Sequence, residues 1–416
     1  MNDLPFGFGD ATDDPDEDGR PNMDPFSALG GADLGQMLQQ LGRMMSAGGD
    51  GPVNWQLAQE TAQQAISASG DKPVSQAQRD AATDAVRLAE IWLDPVTAFA
   101  ATATSGVAWS RQEWVTGSMP TWRRVIDPVA ERMAAAQLEA LPEQVREMAG
   151  PMSQMLRQLG SVMLGAQLGQ GLAALAGSVL TGREVGLPIG PDHTAVLLPA
   201  AIDDFAAEHE IPADEVRLYQ ALRETAWMRL FGHVDWLAEE MTRRMVAAAE
   251  TVQVDAESLG DLLGGLDPSD TDAMQRALGG GLLQPEDTPQ RRTALGRLEA
   301  LLALTSGWVD AVVAQAAGER LPHAAALSES TLRRRASAES TARTFSELVG
   351  LDLSPQRVRQ SSALWTELGL RHGLAAREDI WTHPDLLPTS ADLDDPAEFV
   401  DRVGPVEVPD DLSGLT

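Results

Sequence analysis

Apolar residues along the chain recur mostly at three- and four-residue steps, the spacing of one helical face, and seldom alternate as a half-buried strand requires. Trp55, Ala58, Ala62 and Ile66 form one stripe; Ala85, Leu88, Ile91 and Trp92 form a second, which stops at Asp94 and Pro95. Tyr219, Leu222, Ala226, Leu230, Val234, Leu237 and Met241 extend the pattern over a single long amphipathic helix expected at 212–245. Pro212 suits its first position, and Asp214 and Glu215 meet the positive end of its dipole. Leu298, Leu301, Leu302, Leu304, Trp308, Val309 and Val312 supply the buried face of a further helix at 295–317. Trp109, Trp114 and Trp122 crowd a stretch broken by Gly117 and Pro120. They read as core anchors, with a pocket lining as the alternative. The best strand candidate is 185–198, where a tight turn from Gly186 to Gly190 leads into Ala195, Val196, Leu197 and Leu198 before Pro199. The expected fold is mainly α, a multi-helix domain with at most a small β-hairpin near 183–198.

The same pattern divides the chain. Residues 1–50 read as an acidic flexible tail, because the run of acids at 13–18 cannot build a core. Within the tail, Met37, Leu38, Leu41 and Met44 sit at helical spacing. They suggest a short helix packed on its own domain or, alternatively, docked on a partner. Residues 51–382 form the domain, with a Gly-, Asp- and Pro-rich excursion at 255–290, and 383–416 read as a Pro- and Asp-rich tail.

Composition narrows the function. A formal charge of −31 repels nucleic acid and anionic membrane surfaces. With no cysteine, disulfides, thiolate zinc sites, iron–sulfur clusters and cysteine nucleophiles are excluded. The acidic start lacks a signal peptide's basic and apolar regions, so a cytoplasmic location is expected. The uncharged stretch 158–182 is long enough to cross a bilayer, but its glutamines and glycines make it a buried soluble helix rather than a stable insertion. Gly165 and Gly169 there would let another helix approach closely. No glycine-rich phosphate loop and no Gly-x-Ser-x-Gly elbow occurs, so neither nucleotide binding nor serine hydrolysis has motif support.

The segment from Arg217 to Leu237 carries a resemblance. With Gly186, Leu187 and Pro188, Leu197 to Pro199, Gly307-Trp308-Val309-Asp310, Leu348 to Asp352 and His383 to Pro388, it resembles the zincin-like metallopeptidase type 2 family of actinobacteria, over about residues 50–400. The resemblance implies an H-E-x-x-H helix. Histidines four residues apart share one face and bind zinc, and the glutamate acts as general base on zinc-bound water. It places Arg223 at the first histidine, Glu224 at the glutamate and Trp227 at the second. A third ligand, a glutamate, falls at Ser306.

Arginine does not ligate zinc, and tryptophan offers no ligand lone pair. His233, ten residues after Arg223, is the remaining metal candidate, with a surface or capping role as the alternative. Glu224 is the catalytic candidate, or else an ion-pair partner of Arg223, Arg217 or Arg229 or a buried structural group. The reading favoured here is a zincin-like relative that has lost its ligands, needs no cofactor and binds a peptide or protein partner, with Arg223, Trp227 and Ser306 at the binding face. The alternatives are an active zinc-dependent hydrolase drawing on Glu224 and His233, and a structural assembly protein using the Met-rich helix. The helices at 212–245 and 295–317 are expected to pack side by side, bringing Arg223 and Trp227 near Ser306.

Overall fold

The computed structural model describes residues 51–139, 150–251, 288–336 and 354–403. The expected N-terminal tail and its Met-rich helix, the excursion at 255–287, the 348–352 segment and the last residues of the C-terminal tail lie outside the described residues.

The elements run α1 (Trp55–Ser69), α2 (Gln76–Leu93), β1 (Ser105–Ala108), α3 (Arg111–Glu139), α4 (Gly150–Ser178), β2 (Thr194–Leu197), α5 (Pro199–Glu208), α6 (Ala213–His233), α7 (Leu237–Glu250), α8 (Pro289–Ala317), α9 (Ala324–Ala336), α10 (Pro355–Asp379), α11 (Ser390–Asp394) and α12 (Pro396–Val403). Helices dominate, as the periodicity implies. α6 packs against α2, α5, α8 and β2, while α8 also packs against α7 and α10.

Several caps are legible in the sequence. Asn54 accepts from the Leu57 amide to start α1, and Ser75 and Gln78 form a reciprocal capping box on α2. Both satisfy amides that a helix start leaves without carbonyl partners. α4 lies against α1, and its glycines permit the approach: a methyl group on Gly165 would sit 2.5 Å from the Asn54 carbonyl oxygen, and one on Gly169 2.6 Å from that of Ala58.

Four expectations are corrected. The small β element is present, but it is no hairpin: β2 pairs in parallel with the distant β1, in the register Ser105 to Thr194 through Ala108 to Leu197. On its other side Gly182 donates to the Val196 carbonyl and Leu198 to that of Leu180. β2 is therefore covered along both sides. Second, α3 runs unbroken through Gly117 and Pro120 and also through Pro128. Trp114 and Trp122 on it are fully buried, and such burial, at about 1.5–3 kcal/mol for a large apolar side chain, offsets the proline penalty. Third, the helix expected over 212–245 is two helices, α6 and α7, broken after His233. Fourth, the stretch after 383 is built into the fold as far as Val403. Leu393, Phe399 and Val400 are buried, and α11 and α12 pack on α10.

Among the described residues one helix is long and apolar enough to cross a membrane, Pro289–Arg320, and 83% of its apolar window is buried within the protein. It is a core helix. Trp308 donates to Glu378 at 3.0 Å, and Thr97 donates to the same carboxylate at 2.6 Å. α10 reaches α8 across Gly307, where a methyl group would sit 2.7 Å from the Ser362 amide nitrogen. Backbone cannot yield as a flexible side chain can, so Gly307→Ala is expected to lower stability by roughly 1–3 kcal/mol, read as a drop in the denaturation midpoint.

Candidate functional site

α6 is the hub. Every residue from Tyr219 to Leu230 is buried, so the helix is enclosed on all sides rather than amphipathic. Its charged side chains are tolerated because each meets a partner from a different segment. Arg223 Nη1 donates to Asp310 Oδ1 on α8 at 2.5 Å. Arg229 donates to the Glu90 carboxylate, to Asp94 Oδ1 at 2.7 Å and to the Phe99 carbonyl at 3.0 Å. Glu224 pairs with none of the arginines on its own helix. Its Oε2 accepts from the Arg183 amide at 2.8 Å, and its Oε1 accepts from Arg183 Nη1 at 2.7 Å and the Val196 amide at 3.2 Å. Arg183 also donates to the carbonyls of Thr194 and Pro191. Glu224 therefore ties β2 and the loop before it onto α6.

The expected side-by-side packing of α6 and α8 is present. Arg223 bonds Asp310, one turn beyond the buried Ser306. The Asp310 carboxylate and the neighbouring Tyr219 hold the Arg223 charge against the cost of burial. Burial pushes the Tyr219 hydroxyl above its usual range, with the Arg223 charge opposing the shift and the Asp310 charge adding to it. Trp227 is buried and stacks on Phe231 with centroids 5.8 Å apart. Three polar atoms on this face have no hydrogen-bond partner: Gln220 Oε1, Arg223 Nη2 and Trp227 Nε1. At about 100° per residue they fall within an arc of about 60°.

His233 lies elsewhere, at the exposed end of α6. Its Nδ1 donates to the Arg229 carbonyl at 2.9 Å, and its ring stacks on Phe99 with centroids 5.0 Å apart. The other histidines are equally scattered. His193 and His209 bond the carbonyls of Thr102 and Phe205, and His323 and His383 meet Glu215 and Asp385. His372 bonds the Val400 carbonyl. Among the described residues no three His, Cys, Asp or Glu side chains form a group able to hold a metal ion. The side chains at the positions that the resemblance assigns to zinc ligands are a guanidinium already bound to a carboxylate, an indole and a hydroxyl. They do not fit a zinc ion, which takes neutral imidazole, thiolate or carboxylate donors.

Beyond Asp310, the partner of Arg223, opens a cleft of about 480 Å³ between α8, α9 and α10, lined by Asp310, Ser328, Arg359, Ser362, Thr366 and Glu367 among others. Sequence reasoning named none of these as a site residue. Asp310 had a signal, since it closes the Gly307-Trp308-Val309-Asp310 motif. Arg183, the partner of Glu224, had none.

The sequence profile of zincin-like metallopeptidases matches residues 53–400. A similar solved structure is from Chloroflexus aurantiacus and is described as "a putative hydrolase with a novel fold"; it is 19% identical, with a TM-score of 0.55 over 84% of this chain and 98% of that one. At that identity the likeness is one of fold. No curated protein is similar enough to count as a match.

Proposed function

The chain belongs to the zincin-like metallopeptidase family, and from that premise we propose that it keeps the family fold without zinc chemistry and works by binding a peptide or protein partner. One observation carries this reading. Both oxygens of Glu224, the residue at the general-base position, are committed to Arg183 and Val196 inside the core. A general base must reach the water it deprotonates, and this carboxylate is fully buried. Arg223 supports the same reading, because a guanidinium stays charged and repels the cation whose ligand it replaces. A cleft beside Asp310 opens next to this face, and it is where this reading puts the partner.

The description of the Chloroflexus structure as "a putative hydrolase" favours a second reading, a metal-dependent hydrolase drawing on Glu224 and His233. Helix geometry argues against it. The two residues are nine positions apart on α6, which puts them about 13.5 Å apart along the axis and about 180° apart around it. They cannot ligate one ion.

Incubating the purified, tag-free protein with a broad peptide mixture and analysing products by mass spectrometry tests the proposal. No cleavage is expected, with or without added zinc. Cleavage that is stopped by a chelator, and by Glu224→Gln in a protein that remains folded, would establish the hydrolase instead.

A further inference from the structure

The charges around the cleft are arranged in opposition. At one end Arg359 donates to Glu329 at 3.3 Å and Arg333 donates to the same carboxylate at 3.0 Å. Two guanidiniums share one carboxylate, and the end is left positive. At the other end Arg371 donates to Glu367 at 2.5 Å and to Asp401 at 2.6 Å. Two carboxylates share one guanidinium there, and the end is left negative. Between them the lining is neutral: hydroxyls of Ser328, Ser362 and Thr366 and the methyl of Ala363. Asp310 in the floor is already compensated by Arg223. Arg359 and Glu367 are 54% and 42% exposed, so both can be reached by a ligand.

We propose that this cleft binds a short free peptide by both of its ends, the C-terminal carboxylate at Arg359 and the N-terminal ammonium at Glu367. This rests on the peptide-binding reading above and names its ligand class. The two side chains leave α10 eight residues apart, about 12 Å along the axis. An extended chain rises about 3.3 Å per residue, so three or four residues span the gap. The cleft volume lies within the roughly 300–1,000 Å³ of small-ligand sites. A phosphate-like anion is disfavoured, because the Glu367 carboxylate also lines the cleft. The interior of a long polypeptide carries no charge pair at its ends to match.

Calorimetry on the full chain with trialanine and tetra-alanine, and with their N-acetylated and C-amidated forms, tests the inference. The free peptides should bind, and blocking either end should weaken binding by about tenfold, the effect of one charge-assisted hydrogen bond. Arg359→Gln should abolish the sensitivity to amidation, and Glu367→Gln the sensitivity to acetylation. Both side chains are exposed, so the fold is retained. Failure of the free peptides to bind, or equal binding of blocked and free forms, overturns the inference. Tight binding of a longer, end-blocked peptide overturns it too, yet leaves the peptide-binding reading standing. Zinc-dependent cleavage of trialanine overturns that reading itself.

Discussion

Glu224→Ala is expected to destabilise the protein severely, by at least about 3–5 kcal/mol, the cost of removing one partner from a buried ion pair. Arg183 would be left with its side chain only 6% exposed and its guanidinium unpaired, and the amides of Arg183 and Val196 would lose their acceptors. Such a loss is a large share of the 5–15 kcal/mol by which folded proteins are ordinarily stable. Glu224→Gln keeps the size and one acceptor oxygen but loses the charge, so it should fall between wild type and the alanine variant. Equilibrium denaturation midpoints check this. A solvent-facing catalytic carboxylate would behave in the opposite way, with Gln leaving the midpoint within about 0.5 kcal/mol while abolishing turnover.

The second large effect concerns Arg223 and Asp310, whose side chains are 3% and 9% exposed. Arg223→Ala and Asp310→Ala should each cost about 3–5 kcal/mol, because each strands a buried charge. The double variant Arg223→Met with Asp310→Leu removes both charges and fills much of the space. It should recover most of the loss, since a well-packed apolar pair can equal or exceed a buried ion pair. A double-mutant cycle by chemical denaturation measures the coupling. Additive losses, with no recovery in the double variant, would mean that the two groups do not rely on one another.

What was legible in the sequence followed the range of the interactions. The buried face of α8 and the helix-contact role of Gly165 and Gly169 were readable, because a helical period and small residues are local signals. The break between α6 and α7 was not. Leu230 and Leu237 are buried on either side of it, and a hydrophobic stripe does not distinguish one helix from two whose buried faces line up. β1 was missed because four residues including Gly106, with mixed exposure, carry no alternation long enough to count. The packing after 383 had a signal in Phe399 and Val400, and in the Thr389 and Asp392 capping box, but Pro and Asp composition outweighed it.

The candidate site was half legible. Arg223, Glu224, Trp227 and Ser306 could be placed by resemblance, and α6 and α8 do bring Arg223 beside the turn that follows Ser306. Their partners could not be placed. Glu224 meets a residue 41 positions away, and Arg229 meets one 139 positions away. The ion pairs visible along one helix, Glu224 with Arg223, Arg217 or Arg229, are worth only tenths of a kcal/mol. Burial selected the distant ones.

The most direct test of the account is the zinc content of the wild-type protein, purified without a tag, incubated with zinc, dialysed and measured by elemental mass spectrometry. If the resemblance assigns the ligand positions correctly, to a guanidinium, an indole and a hydroxyl, the dialysed protein should retain no stoichiometric zinc. One zinc per chain, lost when Glu224 or His233 is replaced in a folded variant, would contradict it.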